Sequence, residues 1–334
     1  MQSSLIKETF YQDNIKKGNP RITLIIMATI LIIISLSYLF MNLGPRPDII
    51  FPLRLSRILA IILIAVAVGY SSVVFQTLTN TRILSPGVLG FENIYMFIQT
   101  GIVFFLSSGH YFITGVPNFL LSVFIMIIFS LVIFFPLFKG NGKSNNLYFL
   151  LLLGIVLGTM FSSMTTYMQL MINPDEFMFI QSRMFATFHA PNVNLIVISA
   201  IMITLTLLAI PAPRQLDAMS LGREIAIGLG VNYKIISIRI LIIVSILVSI
   251  STALVGPVMF LGILVANISY HFMKTYKHIY IIPASILISG IALIGGQYLV
   301  SRGLNFPINL SILINFIGGI YFIFLLLKQR GQKV

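Results

Sequence analysis

Residues 54–90 read RLSRILAIILIAVAVGYSSVVFQTLTNTRILSPGVLG, an apolar run opened by two arginines and closed by a Ser-Pro-Gly turn. From Ile58 to Leu78 the run is long enough, as a helix, to cross the hydrocarbon core of a bilayer. Arg54 and Arg57, three residues apart, share a helix face at its mouth. Fixed positive charge at a membrane mouth implies a negative partner there.

The rest of the chain has the same solvent. Hydrophobic residues make up 58% of it, charged residues 9%, and the mean hydropathy is +1.02, so the bilayer replaces a single buried core. Apolar runs broken by charge, Pro and Gly predict helices near 22–43, 58–78, 91–108, 116–138, 147–172, 194–211, 235–255, 257–272, 279–300 and 308–327. The expected fold is therefore all-α and polytopic, about ten transmembrane helices in one transmembrane domain over 1–334. An even number of crossings puts both termini on one side. With that side inside, sixteen of the 21 basic residues are cytoplasmic, as the positive-inside rule requires. Residues 1–21 then form a cytoplasmic N-terminal segment and 212–234 a cytoplasmic loop. The first span is too long for a signal-peptide core and lacks a small-x-small cleavage site after it, so the segment is expected to stay attached. The net charge of +13 is topology and lipid contact, with no solvated basic domain for nucleic acid.

Several chemistries are excluded by residue type. There is no cysteine, hence no disulfide, thiolate metal site or thiol nucleophile. All eight acids, Glu8, Asp13, Asp48, Glu92, Asp175, Glu176, Asp217 and Glu224, fall outside the predicted spans or at their ends. An ion-coupled carrier needs an ionisable or coordinating group near mid-membrane, and none is expected. No catalytic residue is assigned: HExxH, G-x-S-x-G and paired carboxylates on one face are all missing. The loop KGNGKS at Lys139–Ser144 ends like a phosphate-binding loop, but Leu137 stands where its first Gly belongs, so it reads as a polar connector.

The longest inner loop, PAPRQLDAMSLGREIAIGLGVNYK from Pro211 to Lys234, predicts a short helix over Asp217–Leu229 closed at Gly230. Its apolar residues Met219, Leu221, Ile225 and Leu229 follow helical spacing, which suits a membrane surface or a partner's groove. Met160, Met164, Met168 and Met171 form a stripe along the fifth span, with Met178 and Met184 following. Soft ligands alone are no metal site, and methionine fills packing gaps; Met164, Met168 and Met171 are also candidates for a pliable pathway lining. His110, His189, His271 and His278 lie at span ends or in loops without metal-ligand spacing and read as interfacial. Gly101, Gly154, Gly158, Gly290, Gly295, Gly296, Gly318 and Gly319 read as close helix contacts.

Four motifs in order resemble the FecCD-type permeases of bacterial ABC importers for iron-siderophores, haem and cobalamin. RLSR at Arg54–Arg57 is similar to the family's RLPR, and SPGVLG at Ser85–Gly90 to its SPG-x-LG turn. SLGREIAIGLGV at Ser220–Val231 resembles its coupling loop, and LVGPVMFLGILV at Leu254–Val265 its VGP-x-x-F-x-G segment. The chain departs from that pattern at Arg223, where Glu is usual, at Ala266-Asn267 for Pro-His, and at Thr81-Arg82 for Asn-Pro. These departures, with TRILSPGVLGFENIY and KTYKH, resemble a branch handling catecholate siderophores with two different permeases.

The resemblance implies a type II ABC importer permease fold in the bacterial cytoplasmic membrane. It implies a second, different permease, two cytoplasmic ATPase subunits and an extracytoplasmic binding protein that delivers a ferric siderophore. ATP is then used by the partner ATPase, and this chain needs no cofactor. Ser220, Leu221, Gly222, Glu224, Ile225 and Gly230 match the ATPase-coupling loop; Arg54, Arg57 and Arg302 match arginines that meet acids on the binding protein. Snorkelling to lipid phosphates is the other reading of those arginines. A secondary carrier or channel, a haem or cobalamin permease, and a scaffold or sensor subunit remain as alternatives.

Overall fold

The computed structural model describes residues 19–41, 46–106, 115–139, 147–184, 192–303 and 309–330. The predicted N-terminal segment up to Gly18, the KGNGKS connector beyond Lys139, and His110 and His189 lie outside the described residues.

Every described element is helical. In chain order they are α1 (Pro20–Phe40), α2 (Pro47–Thr79), a 3-10 turn (Pro86–Leu89), α3 (Phe91–Leu106), α4 (Val116–Lys139), α5 (Leu147–Met171), α6 (Pro174–Met184), α7 (Val193–Leu208), α8 (Pro213–Met219), α9 (Arg223–Gly228), α10 (Tyr233–Val255), α11 (Met259–Met273), α12 (His278–Gly303) and α13 (Leu310–Arg330). Each of the ten predicted spans coincides with one helix, within a few residues except at the start of α2. Pro20–Phe40, Pro47–Thr79, Tyr233–Val255 and His278–Ser301 are each long and apolar enough to cross a membrane alone. Val116–Val132, Met259–Met273 and Leu310–Phe324 are shorter apolar helices, and α7 meets α8 at a 70° bend.

The helix α2 is the axis of the bundle. It begins at Pro47, eleven residues before the predicted span, and its 33 residues extend about 50 Å. Almost every residue from Ala60 to Thr79 is buried, so α2 is apolar all round because it is surrounded by protein. One buried cluster packs α3, α4, α7, α8 and α10 on one side of it; a second packs α1, α11, α12 and α13 on the other.

Close packing here depends on small residues, as expected where lipid supplies no hydrophobic drive between helices. A Cβ on Gly69 of α2 would lie 2.8 Å from Ile286 Cα of α12, and Ser285 Oγ donates across the same crossing to Gly69 O at 3.0 Å. Polar side chains add directional contacts. Gln99 of α3 donates to Asn118 Oδ1 (2.9 Å) and Ser122 Oγ (3.0 Å) of α4, and Ser130 bonds Ser245 between α4 and α10.

Two departures from the sequence expectation set up the site. The inner loop forms two helices, α8 and α9, where one was predicted over Asp217–Leu229. Gly222 breaks it at φ +100°, a conformation that costs glycine little. The expected closure at Gly230 holds, at φ +81°. An eleven-residue helix not predicted, α6, follows α5, with Pro174 opening it and Asp175 and Glu176 in its first turn.

Candidate functional site

The base of the bundle, the end carrying α8 and α9, is built from two opposed uses of apolar side chains. Leu216 and Met219 of α8 are 0% and 1% exposed and belong to the core cluster. Leu221, Ile225, Ile227 and Leu229 are more than half exposed, on α9 and its flanks. The predicted apolar face is therefore split at the Gly222 break: Met219 anchors inward and the others project. Ser220 Oγ donates to Asp217 O at 2.6 Å and closes α8, while Glu224 stands in the first turn of α9, where the helix dipole favours an acid. Gly230 N donates to Ile227 O at 2.9 Å and ends the α9 stub.

His278 stands at a helix end, as expected, but it is enclosed by protein. It is 1% exposed, and both ring nitrogens have partners: Nδ1 lies 2.7 Å from Asp217 Oδ1 and Nε2 2.7 Å from Thr77 Oγ1. Its backbone N–H donates to the same Asp217 oxygen at 2.8 Å. Periodicity could not find this contact, because its partners are 61 and 201 residues away. His271 is exposed.

Beside this contact opens a cleft of about 510 Å³, lined among others by Arg82, Ser220, Leu221, Tyr270, Lys274 and His278. Arg82 lies over the Tyr270 ring at 4.8 Å, and its carbonyl accepts from Asn267 Nδ2 (2.8 Å) and Gln76 Nε2 (3.1 Å). Two of the sequence's departures from the family pattern, Arg82 and Asn267, thus touch each other.

The segment holding Arg82 turns back into the bundle, which changes the depth of Glu92. Ser85 Oγ donates to Met259 O at 3.3 Å, and Gly262 and Ser72 Oγ are in close contact. Ser72 is seven residues, about 10 Å, above the base end of α2. Glu92 lines a small cavity of about 30 Å³ with Ser71, Ser72, Ser85, Thr252 and Met259, and accepts from the Val258 backbone. The sequence places Glu92 at the edge of a span, and the structure adds that this edge is enclosed by other helices.

At the opposite end, Arg54 Nη1 donates to the carbonyls of Tyr38 (3.0 Å), Leu39 (3.4 Å) and Met41 (2.9 Å), at the C-terminal end of α1. Arg57 Nη1 donates to Tyr38 Oη at 2.8 Å. Both arginines are half-buried and join α1 to α2, a use of their charge that sequence reading missed. Arg302 lies near the end of α12, its side chain outside the described residues.

Along α5, Met160, Met164 and Met171 are exposed, whereas Met168 is 8% exposed and faces Gly101. Gly154 and Gly158 seat α5 on Leu89 and Gly90, leaving most of its other faces uncovered. Among the described residues no cluster of three or more His, Cys, Asp or Glu could hold a metal ion.

Comparison with known proteins places this architecture. The chain is 48% identical over 295 residues to the petrobactin import system permease protein YclO of Bacillus subtilis, covering 88% of this chain and 93% of that one. It is 36% identical over 280 residues to the petrobactin import system permease protein FatC of Bacillus anthracis, covering 83% and 78%. A solved structure of a metal-chelate type ABC transporter in an inward-facing conformation superposes with a TM-score of 0.75 at 20% identity, over 93% of this chain and all of that one. The FecCD transport family model matches residues 21–328, which with the shared motifs and the helical bundle shows that the chain belongs to the FecCD transport family.

Proposed function

We propose that this chain is the permease subunit of an ABC importer carrying a ferric siderophore of the catecholate type, energised by ATP hydrolysed on separate subunits. The observation that carries this reading is the divided loop at the base. A stub locked into the core by Leu216 and Met219 presents Leu221, Ile225, Ile227 and Leu229 outward, as a moving partner's groove requires. Ser220, Gly222, Glu224 and Gly230 shape that stub, and an ATPase subunit is its partner. The petrobactin permeases among the relatives support the cargo class.

The base faces the cytoplasm in this reading, because Arg214, Arg223, Lys234, Arg239, Lys274 and Lys277 gather there. Both termini then lie in the cytoplasm, and the membrane is the bacterial cytoplasmic one. The chain hydrolyses nothing itself and carries no cofactor of its own. Its assembly comprises two ATPase subunits, a second and different permease, and an extracytoplasmic binding protein that docks near Arg54, Arg57 and Arg302. Exposed Met164 and Met171 belong to the pathway lining, with Met168 supporting them from behind. Reconstituted liposomes test the reading: ferric siderophore should accumulate only with ATPase, ATP, binding protein and second permease present. Accumulation by the lone chain under a proton gradient would overturn it in favour of a secondary carrier.

A further inference from the structure

Three elements meet at one buried side chain. His278 opens α12, Asp217 sits in α8, and Thr77 is two residues from the base end of α2. The imidazole bridges the other two through contacts of 2.7 Å on each side, and its own backbone N–H adds a third contact to Asp217 at 2.8 Å. The His278 side chain is 1% exposed and the Asp217 side chain 25%, so the bridge runs from the core to the edge of the base.

We propose that the Asp217–His278–Thr77 bridge is the connection through which displacement of α8 and α9 is delivered to α12 and α2. This rests on the reading of α9 as the ATPase contact. The packing of Leu216 and Met219 holds α8 against the bundle, but apolar contacts are non-directional and permit sliding. Hydrogen bonds at these distances fix direction and register, and a buried one is costly to leave unmade. A push on α9 therefore moves His278 with Asp217 instead of slipping past it.

The geometry around the bridge suits this task. The cleft of about 510 Å³ opens on the side of His278 that faces Ser220 and Leu221, so the stub has space to move. Beyond His278, α12 runs to Gly303 with Pro283 inside it, and meets α2 again where Ser285 donates to Gly69 O at 3.0 Å. The same two helices are thus joined at the base and along their length. Movement entering at the base reaches the α2–α12 crossing along both helices, held in register at each end of this stretch. Asp217, His278 and Thr77 are positioning residues in this account, since none touches cargo or ATP.

The test uses the complete transporter in liposomes and measures siderophore moved per ATP hydrolysed. His278→Phe keeps an aromatic ring and removes both side-chain contacts; Asp217→Leu removes the other end at a side chain that is 25% exposed and leaves little void. Each should lower the ratio at least tenfold while the ATPase still co-purifies, and His278→Gln, which retains a donor and an acceptor, should recover part of it. A purely structural role would lower yield and melting temperature and leave the ratio unchanged. An unchanged ratio in an assembled Asp217→Leu transporter overturns the proposal, even if His278→Phe fails to fold. Failure of the unsubstituted chain to bind an ATPase would instead overturn the proposed function.

Discussion

Truncating Leu221 and Ile225 to alanine isolates the contribution of the projecting face. These side chains are 55% and 54% exposed, so about half of each is available for burial by a partner. Full burial of a Leu or Ile is worth roughly 1.5–3 kcal/mol, which leaves about 1 kcal/mol each for the exposed half. The double variant should then lose about 2 kcal/mol of association energy, or roughly thirty-fold in Kd at 1.4 kcal/mol per factor of ten. The assay is titration of the purified ATPase subunit onto nanodiscs holding this chain and its second permease. Insertion and melting temperature should not change, because neither side chain is in the core. A shift below about threefold, well under what that burial implies, would refute the argument that this face is the ATPase contact.

Three further outcomes follow from other parts of the molecule. Gly69→Ala places a Cβ 2.8 Å from backbone atoms of Ile286 that cannot swing aside, and should destabilise by about 1–3 kcal/mol in thermal unfolding; an unshifted midpoint contradicts the close crossing. Met168→Ala should cost about 2–5 kcal/mol of stability as a core truncation, whereas Met164→Ala should leave stability alone and change uptake; equal melting shifts would remove the distinction. Arg57→Glu should slow binding-protein association at low salt, with the difference shrinking as salt rises, and Arg54→Met should lower the melting temperature by releasing the carbonyls at the end of α1. Equal association rates for Arg57→Glu and the unsubstituted chain at low salt would assign Arg57 to structure alone.

The helices were legible because lipid imposes one rule on all of them: apolar runs of fixed length, broken by charge, Pro and Gly. The sequence also showed the apolar character of the base loop, since Leu221, Ile225 and Leu229 keep helical spacing. It did not show that Gly222 would cut the loop in two. That break depends on a positive φ, and glycine permits one without announcing it. The depth of Glu92 was hidden because hydropathy treats the Thr81–Gly90 segment as a surface connector, while Asn267, Gln76 and Met259 draw it inward. His278 was hidden for a related reason: its partners come from helices far apart in sequence, and a lone histidine carries no spacing signal. Arg54 shows the opposite error. Its charge is plain in the sequence, but its acceptors are backbone carbonyls at the end of α1, which no residue-type pattern can display.

The uncovered faces of α5 bear on how such a chain waits for its partners. Thr159 Oγ1 donates to Val156 O at 2.8 Å, Ser163 Oγ to Thr159 O at 3.0 Å and Thr166 Oγ1 to Ser162 O at 3.0 Å. Each of these three hydroxyls gives its proton to its own helix, leaving its oxygen lone pairs outward. Those positions tolerate acyl chains, water or another protein against them. At these three positions the cost of facing lipid is reduced, while the outward lone pairs can still accept from water. Ambivalence of this kind lets synthesis of one subunit run ahead of assembly.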